Sequence, residues 1–186
     1  MKNNKKIVSL LAIISILSVM VFSTLAYFTA EDSALNKITT GNVEIELHDE
    51  TLNDKEELVA FPEDGFTGIM PGDVVSKVVN VKNTGDNPVW IRVELDKSIT
   101  EGLNFNGIAL DINSADWTLG ADGWYYYNKL VNPTEVTSNL LTKVTFDKLL
   151  GNEYFDAHVE IDVSAQAVQS QNNGTTVLEA EGWPEE

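Results

Sequence analysis

The stretch Val159-Glu160-Ile161-Asp162-Val163-Ser164-Ala165-Gln166-Ala167 alternates apolar and polar side chains along its whole length. Successive side chains of a strand point to opposite faces, so this pattern predicts a strand with one buried and one solvated face. Residues 43–48, 89–96 and 140–146 alternate in the same way. These short segments are separated by turn residues and not by helical patterns. The chain is therefore predicted to be all-β, an antiparallel β-sandwich or jelly roll with at most one or two short helices.

Residues 74–82 are apolar at both alternating positions except at Ser76, Lys77 and Asn80, which predicts a central strand or one with a bulge. The turn residues 83–88 follow, and we expect them to join this strand to 89–96 as a hairpin. Three smaller features are a hairpin strand at 123–127, a short helix at 175–180 and an acidic loop at 49–66.

The N-terminus has the pattern of an export signal. Lys2, Lys5 and Lys6 precede an apolar stretch at 7–25, and small residues at 24–26 place a cleavage site between Ala26 and Tyr27. The predicted organisation is a signal peptide (1–26), an N-terminal arm (27–41) and a β-sandwich domain (42–186). An uncleaved membrane anchor is the alternative, since about 20 apolar residues span a bilayer. Contact with the membrane is expected only through the uncleaved signal.

The composition narrows the classes of function. The net charge is −17, with 29 acidic residues, and cleavage would remove three bases and no acid. Such a chain repels nucleic acid and anionic lipid, so no nucleic-acid partner is expected. There is no cysteine, which excludes disulfides, thiolate metal sites and a cysteine nucleophile.

The residues around the cleavage site carry a family resemblance. The flank Leu25-Ala26-Tyr27-Phe28-Thr29, with Gly41-Asn42-Val43, resembles the alternate, SipW-dependent signal of the TasA and camelysin family of Gram-positive bacteria. Met70-Pro71-Gly72-Asp73 and Val81-Lys82-Asn83-Thr84-Gly85-Asp86 are similar to the same family. The resemblance leaves residues 97–157 unassigned.

The resemblance implies a function, a location and partners. It implies a secreted, non-enzymatic subunit that polymerises with its own copies into extracellular biofilm-matrix or pilus-like fibres, after processing by a dedicated signal peptidase. Family fibres are held together head to tail, and the arm is the candidate donor strand. Phe28, Ala30, Ala34 and Ile38 share one face of this arm, which begins at Tyr27. Asp32 and Asn36 interrupt that face, so the arm need not form a strand alone. As a separate hypothesis, Lys37 is a candidate for an isopeptide bond to an asparagine of a neighbouring subunit if a carboxylate lies close by.

A camelysin-like metallopeptidase is an alternative function. His48 and His158 are the only histidines, each beside acidic residues, and the His-Glu-x-x-His pattern is absent. If their strands pair, the two imidazoles converge, but solvated histidines on polar faces are the expected case. Residues 111–116 have some spacing of calcium ligands without the complete pattern. No enzyme activity, metal or other cofactor is therefore expected.

A monomeric secreted adhesin or binding module is the other alternative. It would use an aromatic interaction platform made of Trp117, Trp124, Tyr125, Tyr126 and Tyr127. Alternation puts Trp124 and Tyr126 on one face and Tyr125 and Tyr127 on the other. One face is expected to be core, and the exposure of the other decides whether a platform exists.

Overall fold

A computed structural model describes residues 43–62, 70–155 and 157–184, which all belong to one compact unit. The fold is an all-β sandwich of two antiparallel sheets, as the alternation predicts. The first sheet has the order β2-β1-β3-β8-β5, and its strands are β1 (Ile45–Leu52), β2 (Leu58–Ala60), β3 (Val74–Asn83), β5 (Ile108–Leu110) and β8 (Leu141–Phe146). The second has the order β6-β7-β4-β9, and its strands are β4 (Val89–Ile99), β6 (Trp117–Leu119), β7 (Tyr125–Tyr127) and β9 (Val159–Gln169).

The main core lies between the two sheets and draws side chains from both. Val79, Val81 and Leu141 come from the first sheet, while Ile91, Val93 and Ala165 come from the second. All are buried, and each valine, leucine or isoleucine that leaves water contributes about 1.5–3 kcal/mol. A smaller cluster of Ile108, Val144 and Phe146 closes one end of the sandwich.

Several local predictions are confirmed. The two longest alternating runs are β4 and β9, which pair in unbroken register from Val89 opposite Gln169 to Ile99 opposite Val159. The register of β3 against β8 shifts between Ser76 and Val79, which is the expected irregularity of a central strand. The short helix is a single 3₁₀ turn, Val177–Glu179, with a capping box between Thr176 and Glu179.

The predicted hairpin between β3 and β4 is wrong. β3 already has a neighbour on each side, β1 and β8, so β4 has no edge of that sheet to join. Residues 83–88 instead carry the chain from the first sheet to the second. The Asn83 side-chain amide stabilises the segment that crosses between the sheets. It donates to the carbonyls of Asn87 (2.8 Å) and Val131 (3.0 Å) and accepts from the Gly85 N–H (3.0 Å).

The predicted acidic loop at 49–66 is also corrected. Its first residues extend β1 to Leu52, and residues further along form β2, which pairs with β1 from Glu50 to Leu52. The Asn53 side chain closes the turn by accepting from the N–H groups of Lys55 (2.9 Å) and Glu57 (3.0 Å). The Asn53 side chain therefore forms a tight turn between β1 and β2. The amino-acid composition of the segment does not distinguish such a turn from an irregular loop.

Candidate functional site

The residues predicted for cleavage and polymerisation lie outside the described structure. They are Ala26, Tyr27, Phe28, Ala30, Ala34, Lys37 and Ile38. The description begins at Val43, which is buried in the main core two positions before β1. The arm therefore comes directly before β1 in the chain. The predicted role of the arm is that of a donor strand, and the surroundings of β1 bear on that role.

One side of the sandwich is formed by β9, the outermost strand of the second sheet, and by β1, whose outer side is next to the short strand β2 in the first sheet. Residues of β1 lie within 8 Å of residues of β9 (Cα to Cα), although the two strands belong to different sheets. β2 covers only the end of β1, from Glu50 to Leu52. Among the described residues, no strand pairs with the outer side of β1 from Ile45 to His48. Among the described strands, the backbone there is an edge of the kind that accepts a further strand.

The apolar side chains on this side are incompletely covered. Leu47 of β1 and Ile161 and Val163 of β9 pack against the main core but stay half-buried, whereas Ile91 and Val93 in the sheet interior are fully buried. An added strand that covered the three half-buried side chains would remove apolar surface from water, and such burial is favourable. We call this side of the sandwich, which β1 and β9 form, the open side.

A buried ion pair lies at the open side. The Lys77 ammonium contacts both carboxylate oxygens of Asp49, at 2.9 and 2.7 Å, and lies 3.9 Å from the centre of the Phe61 ring. Burial raises the pKa of Asp49, the hydrogen bond and charge of Lys77 partly offset that rise, and the charge of Asp162 adds to it. One sign of this pair is visible in the sequence, since Lys77 is the charged residue within the largely apolar run 74–81.

The aromatic platform is corrected, because its side chains are not an exposed surface. Trp117 and Tyr127 are buried in the main core with their rings 4.9 Å apart, and Tyr125 packs against the same core. Trp124 and Tyr126 point to the outer face of the second sheet, but there they are buried too. Residues 170–184, which we call the C-terminal strap, cover that face. Both faces of β7 are therefore packing surfaces.

Arg92 contacts both the second sheet and the C-terminal strap. This residue was not identified from the sequence. Its guanidinium lies 4.3 Å from the Trp124 ring centre and 4.7 Å from that of Trp183 in the strap. It also donates to Gln166 Oε1 at 2.8 and 3.1 Å. Although burial opposes the change, hydrogen bonds from the Tyr126 hydroxyl and the Trp124 N–H, with the charge of Arg92, lower the pKa of Asp122 beside it. This cluster holds the sheet and strap together.

The two histidines are not brought together by paired strands, which was the condition for their convergence. His48 lies in the first sheet with its Nδ1 3.0 Å from Asn80 Oδ1, whereas His158 precedes β9 of the second sheet and is exposed. In the candidate calcium segment, Asp111 accepts hydrogen bonds from Thr142 and Lys143, and Asp116 is paired with Lys129. Within residues 43–62, 70–155 and 157–184, no three His, Asp or Glu side chains are grouped as metal ligands.

Comparison with known proteins adds no relative. No protein-family model matches the chain, and neither the curated proteins nor the solved structures contain a match. In the part of the chain that the structure describes, no helix is both long and apolar enough to cross a membrane.

Proposed function

We propose that this protein is a secreted structural subunit that polymerises into extracellular biofilm-matrix or pilus-like fibres. In the proposed assembly, the arm of one copy (27–41) inserts at the open side of the next copy. The contact is heterologous, because the arm and the open side are different surfaces. Repeating it does not close a ring, so a filament grows.

The open side is the observation that carries this proposal. A strand that pairs with β1 from Ile45 to His48 would complete the edge of the first sheet by main-chain hydrogen bonds. Its inward side chains would cover Leu47, Ile161 and Val163, which the sandwich leaves half-buried. The arm is compatible with this role, since Phe28, Ala30, Ala34 and Ile38 recur on one face. Asp32 and Asn36 interrupt that face, which suits a segment that becomes ordered only on insertion.

The acidic composition supports an assembly that the salt concentration controls. Cleavage would remove three bases from a chain of net charge −17, and the resulting charge of −20 keeps separate subunits apart in solution. Insertion of an arm must overcome this repulsion between subunits. Salt weakens the repulsion, and at 0.1 M ionic strength the screening length is about 10 Å. Fibre formation is therefore expected to become faster as the salt concentration rises.

Removal of the arm tests the proposal. The mature chain starting at Tyr27 is expected to form filaments visible by electron microscopy. Deleting residues 27–36 should leave a monomer on size-exclusion chromatography whose circular dichroism spectrum matches that of the parent. The sandwich core lies beyond the deleted residues, so folding is retained while the donor is lost. Filaments from the truncated chain would show that the arm is not the donor.

Two single substitutions in the arm give a matched pair. Phe28→Asp puts a charge on the apolar face of the arm and should abolish filaments. In the proposed assembly this face is buried against the apolar side chains of the open side, where a charge is costly. Thr29→Asp makes the same charge change on the opposite face and should leave filaments intact. Equal loss in both variants would mean that added charge, and not the buried face, is responsible.

A further inference from the structure

The Lys77–Asp49 pair is held by two neighbouring strands. Lys77 is on β3 and Asp49 on β1, which pair in antiparallel register from Ile45 opposite Asn83 to Glu50 opposite Val78. Both carboxylate oxygens lie within 2.9 Å of the Lys77 nitrogen. The carboxyl carbon between them is therefore also in contact with the amine. The strands fix the two groups at contact distance, which is the first requirement of an intramolecular reaction.

The surroundings of the pair are unlike those of a surface ion pair. The Lys77 side chain is 3% exposed and that of Asp49 is 28% exposed. The Phe61 ring covers the ammonium at 3.9 Å and keeps water from it. By contrast, Lys129 in the Lys129–Asp116 pair is 60% exposed, although the nitrogen–oxygen distance there is 2.6 Å. Removing two charges from water is costly, and the attraction between them often fails to offset that cost.

We propose that Lys77 and Asp49 condense to form an intramolecular isopeptide bond that joins β3 to β1. A proton first passes from the ammonium to the carboxylate, giving a neutral amine and a neutral acid. The amine nitrogen then attacks the carboxyl carbon. A second nitrogen proton passes to the hydroxyl, the carbon–oxygen bond breaks and one water molecule leaves. The product is a neutral secondary amide, and no oxidant or other reactant is needed.

The product suits the site better than the ion pair does. A neutral amide replaces two charges in a place where charge is poorly solvated. The bond also closes a loop between residues 49 and 77, which restricts the unfolded chain as a disulfide does in proteins that have cysteine. This chain has none. The inference does not depend on fibre formation, because both partners belong to one copy.

Intact-mass spectrometry of the purified, denatured chain tests the bond. The mass should fall short of the sequence mass, calculated from the N-terminus actually present, by one water molecule. Tandem spectra of a protease digest should contain one branched peptide that links Asp49 to Lys77. A parent chain with the full sequence mass would overturn the proposal, whether or not any variant folds.

Two conservative variants locate the loss of water. Lys77→Arg keeps the positive charge but has no amine to acylate, so its mass should equal that of its sequence. Lys129→Arg makes the same change in the exposed pair and should keep the deficit. Water loss that persists in Lys77→Arg would place it elsewhere, for example in a cyclic imide at an aspartate, and would also overturn the proposal.

Discussion

Asn83→Asp is expected to destabilise the sandwich by about 4 kcal/mol at neutral pH, since it leaves a buried charge without a partner. Asn83 has no exposed surface, and its amide donates to two carbonyl oxygens at the crossing between the sheets. The new carboxylate would face those oxygens with no proton to donate. Urea unfolding measures the change, which is large against the 5–15 kcal/mol that stabilises a typical domain.

The same variant has a defined pH dependence. The folded state disfavours the charged carboxylate, so the pKa of the new acid is higher in the folded state than in the unfolded state. The folded state then binds more protons between the two pKa values, and stability falls as the pH rises. The deficit relative to the parent should shrink as the pH is lowered from neutral towards 4.

Asn104→Asp is the matched control for this prediction. Asn104 is exposed, and its side-chain oxygen accepts from the Asn106 N–H, a role that a carboxylate keeps. The stability should stay within about 0.5 kcal/mol of the parent. A similar loss in both variants would mean that added negative charge, and not the buried amide, explains the effect.

Trp117→Ala is expected to cost about 3–5 kcal/mol, because it opens a large cavity in the main core. Trp117 is 2% exposed, its ring contacts Tyr127, and its indole N–H donates to the Ser138 carbonyl at 3.1 Å. The side chain therefore ties the edge strand β6 to β7 and to the segment before β8. Urea unfolding followed by circular dichroism gives the free energy of unfolding.

Leu119→Ala is the control within the same strand. Leu119 is 58% exposed, so its truncation leaves no buried cavity and should cost well under 1 kcal/mol. If Trp117→Ala were as mild as Leu119→Ala, the side chain would be an exposed binding residue, as the adhesin interpretation requires. The burial of Trp117 would then be wrong.

The strands could be predicted from the sequence, but their partners could not. Alternation identifies β4 and β9 because each buries one face, and that property is local. Whether β3 pairs with β4 depends on β8, which begins almost sixty residues further along the chain. The turn at 83–88 has the composition of a hairpin turn, and the pairing of β3 with β1 and β8 shows that it crosses between sheets.

The packing of the outer face was missed for a similar reason. The sequence around Arg92 and Trp124 does not indicate that these side chains are covered. Their cover is the C-terminal strap, which is distant in sequence from both. Lys77 has a local signal in the sequence, although no ion pair was predicted from it. A lysine inside an apolar run needs a partner if the run is buried, and Asp49 occupies that place on the adjacent strand.

A mixing experiment with the truncated chain tests the proposed assembly most directly. A copy that lacks residues 27–36 keeps the open side but has no donor arm, so it can end a filament but cannot extend it. Small amounts added to the mature chain before assembly should shorten the filaments in electron micrographs, in proportion to the fraction added. Filaments of unchanged length, with the truncated chain folded and left in solution, would contradict head-to-tail insertion of the arm at the open side.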